Sequence, residues 1–137
     1  MKIQLEDIQP SEEWLIEESV RYYKENQHEL EKALCSVKIL LCQEQPFKYI
    51  ADDGNNRLYV AYEQGEVEIE VSKLHPAGQF EVQFAQEVYD KRIRNWGDLK
   101  GRVISQEERT QKYNALYGTR EDDKVHQLLK KAGENKL

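Results

Sequence analysis

From Glu66 to Val71 the chain alternates without a break: Val67, Ile69 and Val71 on one parity, Glu66, Glu68 and Glu70 on the other. A period of two puts these sets on opposite faces of an extended strand, so the segment belongs to a sheet with one apolar and one charged side. An all-helical fold is excluded. What precedes it narrows the choice further. Arg57 to Gln64 carries Leu58, Ala61 and Tyr62 at helical spacing, with Gly65 placed as a C-terminal cap. Phe47 to Ala51, after Pro46, reads as another strand, and Asp52-Asp53-Gly54-Asn55-Asn56 as a tight polar turn. The unit is strand, turn, short helix, strand.

The flanking elements follow from similar patterns. Ile3, Leu5 and Ile8 predict a first strand near residues 2 to 8, ended by Gln9-Pro10. Ser11 is a good N-cap, with Glu12 and Glu13 in the first turn of a helix through Trp14, Leu15, Tyr22 and Tyr23. The apolar run Val37 to Cys42 fits a strand covered on both faces. Beyond the loop His75-Pro76-Ala77-Gly78, the alternation of Phe80, Val82 and Phe84 predicts a strand over 79–85. Ser105 with Glu108 makes a capping box for a helix through Tyr113, Leu116 and Tyr117. Thr119 with Asp122 repeats it for a last helix through Val125, Leu128, Leu129 and Ala132. The expectation is an α+β fold: one mixed sheet with short helices in a core of residues 1–85, and a helical C-terminal extension, 86–137, of the same domain. A length of 137 residues suits one domain.

Charge is uneven along the chain. Residues 1–90 hold 8 Lys and Arg against 19 Asp and Glu, whereas 91–137 hold 12 against 7. The acidic body repels a phosphate backbone, while the basic last third can attract one or dock on acidic surface. Within it Lys91, Arg92, Arg94 and Trp96 mix cations with an aromatic as nucleic-acid surfaces do, and a packed Trp96 with solvated charges explains them equally. Cys35 and Cys42 form no CxxC pair and read as reduced, partly buried thiols. His28, His75 and His126 are scattered and predict no metal site. Trp14, the tyrosines at 22 and 23 and the stripe through Tyr113 are expected in the core. No stretch is apolar enough to cross a bilayer or serve as a secretory signal, so a cytoplasmic protein without a membrane partner is expected.

The chemistry concentrates at the turn. A glycine lets the chain bend sharply off the strand, and Asn55 or Asn56 can cap the helix that follows. Its first N–H groups, with Arg57 beside them, make a site for phosphate or carboxylate. Asp52 and Asp53 can hold a metal on such a phosphate or accept a proton. The alternative is a capped turn in which Arg57 pairs with Asp52 or Asp53 and stabilises only the loop.

The order Ile-Gln-Leu-Glu-Asp-Ile-Gln-Pro-Ser at residues 3–11, Val37–Leu41, Tyr49 to Tyr62 with its Gly54-Asn55-Asn56-Arg57 turn, Gly65 and Val67–Val71 resembles the amino-terminal domain of the ParB/sulfiredoxin superfamily over roughly residues 1–72. The resemblance implies that Gly54, Asn55, Asn56 and Arg57 hold nucleotide phosphates. It implies a nucleoside triphosphate with magnesium as cofactor, hydrolysis or phosphoryl transfer as the activity, and a bacterial or phage-like DNA-maintenance or mobile-element setting. Two departures count. Sulfiredoxin has cysteine where this chain has Asn55, which removes that reductase chemistry. Many members have His or a second basic residue where this chain has Asn56, which removes a proton carrier and a charge. The alternative is a non-catalytic module that keeps the fold and binds DNA or a partner protein.

Overall fold

A computed structural model describes residues 1–117. It divides into two units, Met1–Ile104 and a second that begins at Ser105. The first is α+β, with strands β1 (Lys2–Gln4), β2 (Ile8–Gln9), β3 (Leu15–Ile16), β4 (Lys38–Leu41), β5 (Tyr49–Asp53), β6 (Glu68–Glu70), β7 (His75–Pro76) and β8 (Val103–Ile104). Its helices are α1 (Glu17–Glu25), α2 (Gln27–Leu34), α3 (Asn55–Glu63) and α4 (Gln79–Asp90).

The strands do not form one sheet. They fall into a four-stranded mixed sheet in the order β2-β5-β4-β7 and two pairs, β1-β6 and β3-β8. The expected first strand is split by a 3-10 turn at Leu5–Asp7, which sends Lys2–Gln4 to pair antiparallel with β6 and Ile8–Gln9 to pair parallel with β5. The four-stranded sheet is apolar on both sides. Ile39 and Ala51, paired across β4 and β5, join the main core with Leu58 and Val60 of α3, while the next pair, Leu40 and Ile50, faces a second cluster with Ala85 of α4.

Two expected elements are replaced. Residues 79–85 are not a strand but the start of α4. A strand would put Phe80, Val82 and Phe84 on one face; the helix turns Val82, Ala85 and Tyr89 inward at i, i+3 and i+7 and leaves Phe80 and Phe84 exposed. The Gly78 N–H, donating to Glu81 Oε1 at 3.3 Å, fixes the helix start. Likewise Ser11 caps no helix. Leu15 and Ile16 pair parallel with Val103 and Ile104, so α1 begins only at Glu17, with Glu17 and Glu18 in its positive first turn. Tyr22 is exposed, packed edge-to-face on Tyr23 at 5.3 Å, and Cys35 is exposed as well. Val67 is 68% exposed, so the buried face of β6 is Ile69 alone, followed by Val71.

The main core continues past residue 85. Val88, Ile93, Trp96 and Leu99 lie in the same cluster as Ile3, Leu5 and Leu58. In the second unit α5 (Gln106–Tyr117) starts as expected, the Glu108 N–H donating to Ser105 Oγ at 3.1 Å. Arg109 stacks over the Tyr113 ring at 4.8 Å. The helix expected from Thr119 to Gly133, with His126, lies outside the described residues.

Candidate functional site

The turn between β5 and α3 is built around Gly54. Its φ of 93° is left-handed, and a Cβ there would stand 2.5 Å from Val37 Cγ1, so both backbone and space require glycine. No side chain caps α3, and the N–H groups of Asn55, Asn56 and Arg57 have no carbonyl a turn earlier in the helix to bond. The positive end of the helix therefore lies at this turn, where Gly54 and Asn55 are buried and Asn56 and Arg57 half-buried. At the far end Gly65, with φ of 88°, closes α3: its N–H donates to Tyr62 O and that of Glu66 to Ala61 O, both at 3.0 Å. This closure aims the chain into β6.

The two asparagines turn away from the helix end. Asn55 is buried; its Oδ1 accepts from the Ser11 N–H at 3.0 Å and its Nδ2 donates to Ser11 Oγ at 3.0 Å. Ser11 Oγ in turn donates to Ala51 O. Asn56 Oδ1 accepts the Ile16 N–H at 2.9 Å. Both side chains stitch residues 11–16 to the turn, so neither caps α3.

Arg57 is also committed. Nη1 donates to Ala33 O at 2.8 Å and Ser36 Oγ at 2.9 Å, and Nη2 lies 3.3 Å from Asp53 Oδ2. Only 14% of its side chain is exposed. The guanidinium thus satisfies a carbonyl at the C-terminal end of α2, where a cation also suits the helix dipole. Asp52, at the end of β5, pairs with Lys38 at 3.4 Å. Each carboxylate of the turn is thus matched to a cation, Asp52 to Lys38 of β4 and Asp53 to Arg57. Among the described residues no group of three or more His, Cys, Asp or Glu could hold a metal.

The basic segment is dismantled as a stacking surface. Trp96 is 1% exposed, and its Nε1 donates to Leu5 O at 3.1 Å, so it closes the core and cannot stack on a base. Lys91 pairs with Glu13 at 2.6 Å, Glu13 also holds Arg102 at 3.3 Å, and Arg94 lies over the Tyr89 ring at 4.2 Å. Arg92, at φ of 68°, is exposed and in no ion pair among the described residues.

A polar cluster that sequence reasoning missed lies on α3. The buried Tyr59 donates its hydroxyl proton to Glu63 Oε1 at 2.7 Å, and Lys24 lies 3.5 Å from the same oxygen. Burial and the neighbouring carboxylate push the Tyr59 phenol well above its ordinary range. The bond from Tyr59, opposed by burial and helped by the charge of Lys24, holds Glu63 below the usual carboxylate value. The i, i+4 spacing of Tyr59 and Glu63 was the available signal. Comparison with protein families, curated proteins and solved structures gives no match. No helix among the described residues is long and apolar enough to cross a membrane.

Proposed function

We propose that this chain is a ParB/sulfiredoxin-like domain that binds a nucleotide or other phosphate group at the start of α3 and does no chemistry on it. The observation that carries the reading is a helix opening on a left-handed glycine with no side-chain cap, its first N–H groups beside a fixed arginine. Binding is through those N–H groups, with Arg57 as a preorganised charge at the rim. Asp52 and Asp53 already have cationic partners and Asn56 is held by Ile16, so no free base stands at the turn. Magnesium, where used, would arrive on the nucleotide's own phosphates.

Amide proton–nitrogen spectra during titration with nucleoside triphosphates and with inorganic phosphate, each with and without magnesium, test this. Saturable shifts greatest at residues 54–57 are expected. At 100 times its dissociation constant a ligand should add about 2.7 kcal/mol of stability. If the amides of 54–57 stay still at millimolar ligand, the turn is structural and the second reading stands. That reading, a non-catalytic interaction module, is favoured by the three contacts that occupy Arg57.

A further inference from the structure

In the β1-β6 ladder, Leu5 N–H donates to Val67 O at 2.9 Å, Val71 N–H to Met1 O at 2.8 Å, and Ile3 pairs with Ile69. Hydrogen-bonded pairs in an antiparallel ladder alternate with pairs whose N–H and C=O groups point outward. Here the outward groups belong to Glu68 and Glu70, and β6 has no second strand neighbour among the described residues. Such an edge is a template for another strand.

The same edge borders a cavity of about 270 Å³ whose other wall is α2, with Leu30, Leu34 and Ile69 as apolar lining. A neighbouring cavity of about 630 Å³ shares Glu66 with it and adds two exposed apolar side chains, Tyr62 and Val67. Five carboxylates, of Glu6, Glu31, Glu66, Glu68 and Glu70, border the two cavities and no lysine or arginine does; of the five, Glu68 is paired with Lys2 at 3.6 Å and Glu70 with the Met1 amine at 3.0 Å. Glu31 and Glu66 take part in no ion pair among the described residues.

We propose that this groove docks an extended segment of a partner protein that alternates lysine or arginine with apolar residues and adds as a strand to β6. The Glu68 and Glu70 backbone supplies the new ladder, and apolar side chains on one parity enter the cavity against α2. Cations of the segment meet the exposed Glu31 and Glu66, and this charge match selects the occupant: an acidic peptide or a nucleic acid is repelled by the same unpaired carboxylates.

Fluorescence anisotropy with a labelled alternating lysine–valine octapeptide tests it on the full chain, against a block isomer of the same composition and a glutamate–valine peptide. The alternating peptide should bind saturably, roughly tenfold tighter than the block isomer, and more weakly as salt rises. Glu31→Lys combined with Glu66→Lys, both at exposed positions, should weaken it by a further factor of roughly ten. The Glu68 and Glu70 amides should gain protection from hydrogen exchange in the complex. Equal binding of the two isomers, unchanged binding by the double variant, or unprotected amides at Glu68 and Glu70 overturns the proposal. So does concentration-dependent self-association that the octapeptide fails to disperse, which would make a second copy the occupant.

Discussion

Replacing Arg57 by alanine measures how firmly the arginine is held at the start of α3. The side chain donates to Ala33 O at 2.8 Å and to Ser36 Oγ at 2.9 Å. A hydrogen bond from a charged group to a partly buried carbonyl contributes ~1.5–3 kcal/mol, and the exposed one to Ser36 about 0.5–1 kcal/mol. The pair with Asp53, whose side chain is 73% exposed, adds at most about 0.5 kcal/mol after screening. Arg57→Ala should therefore destabilise the fold by about 3 kcal/mol, and Arg57→Lys, which keeps charge but not the fork, by about half that. Urea unfolding followed by tryptophan fluorescence should show the alanine midpoint lowered by about 1–2 M with an unchanged slope. A loss below ~1 kcal/mol would refute the reasoning, because Arg57 would then spend little of its time on Ala33 and would not be the preorganised charge at the start of α3.

Gly54→Ala meets both the left-handed backbone and Val37, at ~1–2 kcal/mol for the first and ~1–3 kcal/mol for the second. Adding Val37→Ala should return much of the steric part, which a double-mutant cycle in urea would read as a coupling of opposite sign. The folded-state pKa of Glu63 lies below its unfolded value, so its contribution is complete above about pH 4.5 and fades as the pH falls through the folded value; Tyr59→Phe should flatten that acid limb in pH-dependent unfolding. Tyr59, raised in the folded state, contributes fully below about pH 10 and loses stability as the pH rises further, a limb that Tyr59→Phe should remove. With Lys91 and Arg94 engaged, Arg92 is the main cation of its segment left for DNA, so the slope of log affinity against log salt in anisotropy titrations should be about −1, and Arg92→Ala should flatten it.

The local half of this fold is legible in the chain and the long-range half is not. Gly54, the α3 periodicity, Gly65 and the Glu68–Glu70 alternation lie within one stretch of sequence, so each signal is read against its neighbours. Phe80 and Phe84 mislead because a period of two and an exposed i, i+4 pair look alike over five residues; Ala85 and Val88, the buried stripe, decide it. Leu15 and Ile16 read as helix because their strand partner, Val103–Ile104, comes almost ninety residues later. Arg57 looks like a ligand group because one of its acceptors, the Ala33 carbonyl, leaves no trace in residue type. Trp96 beside three cations looks like a stacking platform until Leu5 O accepts its N–H.

The pairing of β3 with β8 also sets an order of events during synthesis. Residues 15–16 leave the ribosome early, yet their strand partner is the last element of the first unit. At about 5–20 residues per second, a nascent chain spends roughly 4–18 s with Leu15 unable to find Val103. Closing so long a loop is entropically costly and slow compared with the β4–β5 hairpin, which forms from adjacent sequence. A ribosome-bound fragment ending before residue 104 should thus carry a collapsed but unlatched core, open to protease near Leu15. Release of the last two residues of the unit is the step that makes it resistant.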